Sequence, residues 1–387
     1  MKHIPKRILA CALALLLCLS LGSAAAAAPG VPTATVTLSY ADVAGFQLTP
    51  QTQFTIPADL CEEYGFDGGF GGEKVSVMDA IVYLHLLLLG KVDGYLDTFY
   101  YAAYDSTMIT NFMGDGMGAF LYFLNGEDPE LGALAVEITD GDTVELFSIY
   151  DAYFWTDVRT WFEVGGQQAG AVTALTGETL ELTLNSSMFG YPMGAVEDAD
   201  ILQLAIESAG DYNTAAFAGA TVLATTGEDG AAQVVFPSAG TYILSATLPE
   251  PGDFYDAILA PWLVVTVLTP EQLALAEAKA AAKAALDAYK KPADYREAQK
   301  TELANAIAAG KAAIDAAADI AGVNAALAAA KLAMDAVKTD AQLKAQETLL
   351  AKWHAKLPKW MKGVEKLWNW LQYVLLFVFF GWVFFLF

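Results

Sequence analysis

The sequence predicts a multidomain protein with an α+β domain, then a β-sandwich, then an α-helical three-helix bundle, and a C-terminal transmembrane helix. Three observations lead to this fold class. Short apolar stretches separated by glycine-containing turns fill residues 33–268, alanine-rich stretches with helical periodicity fill residues 269–340, and residues 367–387 contain no charged side chain. The first pattern is typical of strands, the second of packed helices and the third of a membrane segment.

Charge is distributed unevenly along the chain, whose formal net charge is -24 at pH 7. Residues 31–270 contain thirty-three Asp or Glu against three basic residues, whereas residues 271–350 contain eleven acids and ten bases. A composition change of this size marks a domain boundary. The acidic region repels nucleic acid, so we expect no nucleic-acid partner. Solubility on a crowded surface explains the acidity, and a specific role in cation binding is the alternative.

The N-terminal residues have the order of a secretory signal peptide. Lys2, Lys6 and Arg7 precede an apolar run at residues 8–21, and small residues follow up to residue 28. We therefore place a signal peptide at residues 1–28 and expect the chain to be exported. The remaining chain has one cysteine, Cys61, which cannot form an internal disulfide, so its stability is expected to come from packed cores.

Residues 33–165 form the predicted α+β domain. Strands are predicted at residues 36–40 and 53–56, and a helix follows from Val77 with Ser76 as its N-cap. Two hairpins are predicted next. One turns at Asn125-Gly126, and the other joins strands 135–138 and 144–149 through Asp140-Gly141.

Three segments of this domain resemble, in order, the motifs of the transcobalamin C-terminal-like (DUF4430-like) family, a domain of exported Gram-positive proteins. They are SVMDAIVYLH (76–85), GAFLYFLNGEDPELG (118–132) and ITDGDTVELF (138–147). The resemblance implies a helix packed on a sheet, and it implies cobalamin or another corrinoid as a ligand. Phe120 stands where relatives often carry tryptophan.

Aromatic side chains make this domain the best candidate for ligand recognition, because aromatic residues dominate binding patches. Core packing is the alternative explanation for many of them, since strand residues alternate inward. The candidate ligand-binding residues are Tyr100, Tyr104, Phe120, Tyr122 and Asn125.

Residues 170–268 form the predicted β-sandwich. Alternating strands are predicted at 171–176, 179–185, 233–236, 239–244 and 262–267, with a turn at 227–230. The segment AGATVLATTGEDGAAQVVFPSAGTYILSA (218–246) resembles bacterial Ig-like surface modules. That resemblance implies a spacer or an adhesive unit.

Residues 269–340 form the predicted helical module, which starts at Thr269-Pro270-Glu271. Helices are predicted at 270–289, 292–317 and 323–337, and one apolar face on each predicts a three-helix bundle. The residues assigned to these faces are Leu303, Ile307, Ile314, Leu327, Leu332 and Met334. The segment ALDAYKKPADYREAQKTELANAIAAGKAAIDAA (285–317) resembles FIVAR-like modules of Gram-positive surface proteins, which implies a stalk.

The C-terminal segment predicts a membrane anchor. Residues 341–366 form a basic, Trp-rich helical juxtamembrane segment, and residues 367–387 are long enough, at about 31 Å as a helix, to cross a bilayer. The helix either spans the bilayer or lies in it, and the sequence leaves both open. The expected contacts with membrane lipid are Trp353, Trp360, Lys362, Lys366, Trp368 and Trp370.

The sequence predicts no catalytic residue and no metal site. His85 lies on an apolar stretch where a structural role is expected, and no zinc-type Cys/His spacing occurs. Turn chemistry is the simpler explanation of the Asp-rich turns, and calcium binding there is the alternative. We therefore expect a non-enzymatic protein on the extracellular face of the membrane that binds or adheres to an extracellular protein, glycan or small molecule. Cobalamin capture is the first alternative, and a carboxylate-pair hydrolase is the second.

Overall fold

A computed structural model describes residues 30–66, 69–101, 106–115, 120–129, 131–148, 157–188, 191–249 and 258–356. The chain divides into two compact units, Met1–Thr269 and Pro270–Phe387. The first contains β-sheet domains and the second is a helical region. The division falls at the position where the charge composition changes.

Seven strands and two helices precede residue 150 in the described part of the first unit. The strands are β1 (Thr33–Asp42), β2 (Gly45–Leu48), β3 (Gln53–Pro57), β4 (Asp97–Tyr101), β5 (Ser106–Asn111), β6 (Phe120–Leu124) and β7 (Thr143–Ser148). The helices are α1 (Leu60–Glu63) and α2 (Val77–Leu89), and a 3₁₀ turn covers Ala133–Ala135.

Thirteen further strands follow in the described residues. They are β8 (Val158–Val164), β9 (Gln167–Gln168), β10 (Ala171–Leu175), β11 (Thr179–Met188), β12 (Tyr191–Ala195), β13 (Asp200–Leu204), β14 (Glu207–Ser208), β15 (Asn213–Ala216), β16 (Thr221–Thr225), β17 (Ala231–Val235), β18 (Gly240–Thr247), β19 (Ile258–Leu259) and β20 (Leu263–Leu268).

The first lobe of this unit is a sheet of β1, β2, β3, β6 and β7 covered by helix α2. Strand β1 pairs in parallel with β7 and antiparallel with β2 and β3, while β6 pairs antiparallel with β7. Strands β4 and β5 form a separate two-stranded sheet. Helix α2 is buried at every residue from Val77 to His85, because all of its side chains except Asp79 and His85 are apolar or aromatic, and it packs into the core of the first lobe.

Local chemistry defines both ends of α2. The Ser76 side chain accepts a hydrogen bond from the Asp79 N–H, and the Asp79 carboxylate accepts one from the Ser76 N–H, which completes a capping box. Gly90, with φ of 68°, ends the helix in the left-handed conformation. The predicted helix start and its N-cap are confirmed.

The second lobe consists of two sheets that share one core. The first sheet has the strand order β10-β20-β18-β13-β16, and the second has the order β12-β11-β8-β19, with β9 on β8 and β17 on β11. Strands β10 and β20 pair in parallel. The largest buried side chains between the sheets include Phe162, Leu182 and Phe236.

Of the first predicted hairpin, the turn and one isolated bridge form, and β6 has β7 as its ladder partner. The Asn125-Gly126 turn forms, and Leu124 and Glu127 exchange backbone hydrogen bonds across it. The predicted pairing of 135–138 with 144–149 is wrong. Residues 136–138 bond instead to residues 75–77, and β7 inserts between β1 and β6. The Asp140-Gly141 turn packs on β1, where the Gly141 N–H donates to the Thr35 carbonyl oxygen over 2.8 Å.

The predicted domain limits at residues 165 and 170 stay predictions. Two pairings join residues on opposite sides of them. Strand β8, at residues 158–164, pairs with β11. Strand β15, at residues 213–216, pairs with β2 of the first lobe.

The helical unit contains α3 (Pro270–Asp287), α4 (Glu297–Ala316), α5 (Ile320–Ala336) and α6 (Asp340–Lys356), with a 3₁₀ turn at Pro292–Asp294. Helices α3, α4 and α5 share one core, whose buried residues are Ala282, Leu286, Tyr295, Leu303, Ile314, Val323, Ala330 and Met334. The assignment of Leu332 to this core is wrong, because its side chain is 70% exposed. It lies between Ala330 and Met334, which are separated by one helical turn on the buried face.

Helix α6 covers the first part of the predicted juxtamembrane segment, and residues 357–387 lie outside the described residues. The predicted signal peptide, 1–28, also lies outside them. Among the residues that the structure describes, no single helix has both the length and the apolar composition of a membrane span. Ile320–Ala336 and Asp340–Leu349 meet both conditions only as a pair, which is bent by 41°.

Candidate functional site

Three of the five candidate ligand-binding residues have described side chains. Phe120, Tyr122 and Asn125 lie on or directly after β6. Tyr100 belongs to β4, but its side chain is outside the described part of the structure, and so is the whole of Tyr104.

Phe120 and Tyr122 belong to an aromatic cluster, which consists of Tyr40, His85, Phe112, Phe120 and Tyr122. Phe112 is its centre and is fully buried. The Phe112 ring centroid lies 5.4 Å from Tyr40, 5.2 Å from His85 and 4.3 Å from Phe120. These separations are typical of aromatic rings in contact, so the described rings of the cluster pack against one another.

His85 is held in the neutral form at one side of this cluster. Its Nδ1 lies 2.9 Å from the Ile81 carbonyl oxygen, and its Nε2 accepts the Met113 N–H over 3.1 Å. A ring that donates from Nδ1 and accepts at Nε2 is uncharged. Burial lowers the pKa of His85, against smaller effects of the Ile81 and Tyr95 carbonyl groups that raise it. His85 therefore has the structural role that the sequence predicts.

Both tyrosines of the cluster use their hydroxyl groups inside the fold. The Tyr40 hydroxyl lies 2.8 Å from Ser148 Oγ, and the Tyr122 hydroxyl donates to the Leu131 carbonyl oxygen. Burial raises the pKa of Tyr40 to about 12 and also raises that of Tyr122. Both phenols are therefore neutral at physiological pH.

Asn125 joins the end of β6 to the start of β7. Its Nδ2 donates to Asp142 Oδ1 over 2.8 Å, and its Oδ1 accepts the Thr143 N–H over 2.9 Å. Burial disfavours the charge on Asp142, but hydrogen bonds from Asn125 and Thr139 outweigh it and lower the pKa of this carboxyl group. The amide nitrogen and the amide oxygen of Asn125 are thus both hydrogen-bonded within the fold.

Arg159, which the sequence analysis did not select, occupies the contact between the two lobes. Its Nη2 lies 3.3 Å from Glu145 Oε2 on β7, and its guanidinium carbon lies 5.1 Å from the Phe123 ring centroid and 5.7 Å from that of Trp161. The residue is 8% exposed. It is the sole arginine in residues 31–270, which is the signal that could have found it.

Cys61 and Asp79 form a second buried polar contact, beside the start of α2. The Cys61 N–H donates to Asp79 Oδ1 over 2.8 Å. Burial, and next the neighbouring Asp79 charge, raise the pKa of the Cys61 thiol to about 12. A thiol with this pKa is protonated at neutral pH and is a poor nucleophile.

No metal centre is formed by the residues that the structure describes, because they contain no group of three or more His, Cys, Asp or Glu side chains placed to hold an ion. The membrane-interface candidates lie at or beyond the end of the described residues. Trp353 lies on α6 with its side chain outside the described part, and Trp360, Lys362, Lys366, Trp368 and Trp370 lie beyond it.

Comparisons with known proteins extend this picture little. No family model and no curated protein match the chain. Among solved structures, the titin Ig tandem domains A164-A165 are 11% identical with a TM-score of 0.15, covering 35% of this chain and 56% of theirs. The Bacteroides ovatus protein SGBP-B, solved with a mixed-linkage heptasaccharide, is 11% identical with a TM-score of 0.15, covering 45% of this chain and 35% of its own. The chain thus spans about half of the first structure and a third of the second.

Proposed function

We propose that the chain is an exported, membrane-anchored cell-surface protein whose acidic β-sheet unit binds or adheres to a partner outside the cell, without catalysis. The observation that carries this proposal is the contrast in charge between the two units. Residues 31–270 have an excess of thirty acids over bases, whereas residues 271–350 have an excess of one.

The ion pairs of the two units show the same contrast. In the first unit, Lys74 lies 2.7 Å from Glu137, and Lys91 lies 4.0 Å from the Tyr95 ring centroid. With Arg159 on Glu145, all three basic residues of the acidic region are engaged. Three basic residues cannot balance thirty-three acidic ones, and this excess gives the unit a negative field.

The helical unit balances its charges between neighbouring helices. The ion pairs between its helices include Lys283–Asp315 at 2.8 Å, Lys311–Asp287 at 2.7 Å and Arg296–Glu347 at 2.8 Å. Residues 271–350, with eleven acids and ten bases, are nearly neutral, so they repel an anionic lipid surface much less than the acidic region does. The predicted lysines and tryptophans of residues 353–370 would then lie on the lipid.

Two described groups of the kinds that often supply acid-base or nucleophilic chemistry, an imidazole and a thiol, are used by the fold, and this favours binding over catalysis. His85 is fully buried and bonded to backbone groups, and Cys61 is buried with a protonated thiol. The partner is then recognised by surface contacts. We propose that this partner is an extracellular protein, a glycan or a small molecule.

Cell fractionation tests export and anchoring. The full-length chain is compared with a variant that ends at residue 366 and with one in which residues 367–387 are replaced by an apolar helix of the same length. We expect the full chain and the replacement variant in the membrane fraction, open to protease added outside intact cells. The truncated variant is expected in the medium. A truncated variant that stays cell-bound, or a first unit that protease cannot reach, would refute the proposal.

A titration with cobalamin tests the alternative of corrinoid capture. We expect the absorption spectrum of cobalamin and the unfolding temperature of the full-length chain to stay unchanged. A saturable spectral change would replace adhesion by small-ligand capture in the first lobe. Phe120→Ala would then have to weaken that binding, while a change at the exposed Val43 would not.

A further inference from the structure

We propose that residues 205–220, here called the strap, are an internal brace that joins the two lobes of the first unit into one cooperative body. The strap connects β13 to β16 of the second lobe and contains β14 and β15. Its two ends are neighbours, because β13 and β16 pair with each other. The strap therefore leaves the second lobe, reaches the first lobe and returns. This inference does not rest on the function proposed above.

The strap adds a strand to the edge of the first lobe. Ala215 pairs with Phe46, and Ala216 pairs with Gly45. Two further backbone hydrogen bonds extend the contact, from the Thr49 N–H to the Asn213 carbonyl oxygen and from the Phe217 N–H to the Ala44 carbonyl oxygen, both 2.9 Å long. Without the strap, β2 would pair only with β1 and would be an edge strand, which is a site of unwanted pairing.

Gly45 has the residue type that this close approach requires. Its φ is +125°, a backbone angle that residues with a side chain rarely adopt. A Cβ atom at this position would lie 2.4 Å from the Ala215 carbonyl oxygen and 2.9 Å from the Phe217 nitrogen. Both of these atoms belong to the strap, so the position is closed to larger residues by the strap itself.

The tip of the strap packs on the core of the first lobe. Tyr212 is half-buried against this core, between the short strands β14 and β15. Burial, and next the charge of Asp211, raise the pKa of Tyr83 on helix α2, so the strap tip also lies within electrostatic range of that helix. The strap thus pairs with the sheet of the first lobe and packs on the core of that lobe.

Apolar contacts fill the space between the lobes around the strap. One buried cluster contains residues of the first lobe, the strap and the second lobe: Ala41, Phe46, Phe123, Phe147, Ala215, Leu202, Leu204, Ile243, Leu259 and Ala260. The Phe46 and Trp262 rings meet edge to face with centroids 4.9 Å apart. Separating the lobes would expose this cluster to water and leave the buried Arg159 without Glu145.

Native-state hydrogen exchange of the full-length chain, followed by mass spectrometry in increasing denaturant, tests the brace. Peptides from β1 and β7 report on the first lobe, and peptides from β11 and β18 report on the second. We expect the two sets to lose protection at the same denaturant concentration, because the lobes open together. Separate transitions in the unmodified chain would overturn the proposal.

Gly45→Ala is the first test variant, and Gly194→Ala is its matched control. Gly194 has a φ of +98°, so alanine is strained there too, but no atom lies within 4 Å of its added Cβ. We expect Gly45→Ala to split the transition, with the first lobe opening at lower denaturant, and Gly194→Ala to leave the two lobes coincident. Coincident opening in Gly45→Ala, or an equal split in Gly194→Ala, would contradict the brace.

A second variant decides the matter if Gly45→Ala does not fold. It replaces residues 206–218 by a Gly-Ser linker of the same length, which leaves β13 and β16 in place. We expect the second lobe to keep its protection while the β2 peptides exchange at least tenfold faster and the first lobe opens earlier. If the linker variant still opens as one unit, the strap is a surface loop and not a brace.

Discussion

Cys61 is the only cysteine in the chain after residue 28, and it lies with its backbone bonded to Asp79 in the core of the first lobe. Burial raises the pKa of its thiol to about 12. Because the thiolate is the reactive species, we expect Cys61 in the folded chain at pH 8 to react with iodoacetamide on the order of 10³-fold more slowly than a free thiol. Peptide mass spectrometry measures this rate, and the same chain in urea is the control. Equal rates in the two states would contradict the burial of Cys61.

The burial of His85 leads us to expect that the folded chain loses stability in weak acid. Burial lowers the pKa of His85 below the value of about 6.5 that it has in an unfolded chain. The unfolded state therefore binds more protons between these two values. The contribution of His85 to stability is fully present above pH 6.5 and is lost as the pH falls toward the folded pKa.

Urea unfolding of the wild type and of His85→Gln at pH 7.5 and pH 5.5 checks this direction. The variant lacks the titrating group, while the carboxylates that also titrate are the same in both chains. We expect the wild type to lose more free energy of unfolding between the two pH values than the variant does. An equal loss in both would show that His85 does not titrate with folding.

Sequence reasoning succeeded for residues whose role depends on near neighbours. The N-cap role of Ser76 and the turn at Asn125-Gly126 follow from spacings of a few residues, and both form. It misplaced Leu332, for which the register of one helix face had to be known to a single residue. It also missed Arg159, whose neighbours Glu145 and Phe123 come from the other lobe.

At the scale of one element, the start of helix α2 depends on Asp79. This fully buried carboxylate accepts hydrogen bonds from the Cys61 N–H, the Ser76 N–H and Ser76 Oγ at 2.7–2.8 Å. We expect Asp79→Ala to lower the free energy of unfolding by about 3 kcal/mol or more, because it leaves two buried N–H donors without an acceptor. Ser76→Ala removes the cap and the hydroxyl donor to Asp79 but leaves both backbone donors bonded, and it is expected to lower the free energy of unfolding by about 1 kcal/mol.

Urea denaturation followed by near-ultraviolet circular dichroism measures both changes. Asp93→Ala is the control, since it also removes a negative charge, but from an exposed position. The double variant is expected to lose less stability than the sum of the two single losses, because the two side chains act on each other. Additive losses would show that the capping box does not act as one unit.

Gly310 lies at a close contact between helices of the second unit. A Cβ atom there would lie 2.5 Å from Ala330 Cβ on α5 and 2.9 Å from Leu286 Cδ1 on α3. Alanine ordinarily stabilises a helix relative to glycine by up to about 1 kcal/mol. Here we expect Gly310→Ala to destabilise the unit, because overpacking a core costs about 1–3 kcal/mol.

The compensating pair Gly310→Ala with Ala330→Gly separates crowding from other effects of the substitution. It restores the space that the new methyl group needs. We expect the double variant to regain stability relative to Gly310→Ala, measured by circular dichroism at 222 nm during heating. No recovery would show that crowding against Ala330 is not the cause.

Helices were predicted well, because each corresponds to one continuous stretch with helical periodicity. Strand pairing was predicted poorly where the paired strands are far apart in the sequence. Helices α3, α4 and α5 lie within a few residues of their predicted limits, because each has an apolar face and a turn at its ends. The strand pairings could not be predicted, since parallel pairing of β1 with β7 and the addition of β15 to β2 join distant segments. The sequence of the strap indicates a loop, because its strands are only two and four residues long.

At the scale of the whole molecule, the two units are expected to respond to salt in opposite directions. The acidic region has thirty more acids than bases, so its folded form is strained by repulsion among its own charges. The helical unit has surface ion pairs between helices, including Lys283–Asp315 and Lys311–Asp287. Salt screens both the repulsion within the acidic region and the attraction within these ion pairs, since the Debye length falls from about 10 Å at 0.1 M to about 3 Å at 1 M.

We therefore expect sodium chloride, raised from about 0.05 M to about 0.5 M, to increase the unfolding temperature of the first unit and not that of the helical unit. Scanning calorimetry of the full-length chain follows both transitions, and circular dichroism at 222 nm identifies the helical one. Potassium chloride is the control, because a screening effect depends on ionic strength and not on the cation. If only one cation stabilises the first unit, its carboxylates bind that ion specifically. If both transitions fall together, repulsion among the carboxylates does not limit the stability of the first unit, and the contrast in charge that supports its surface role has no energetic consequence.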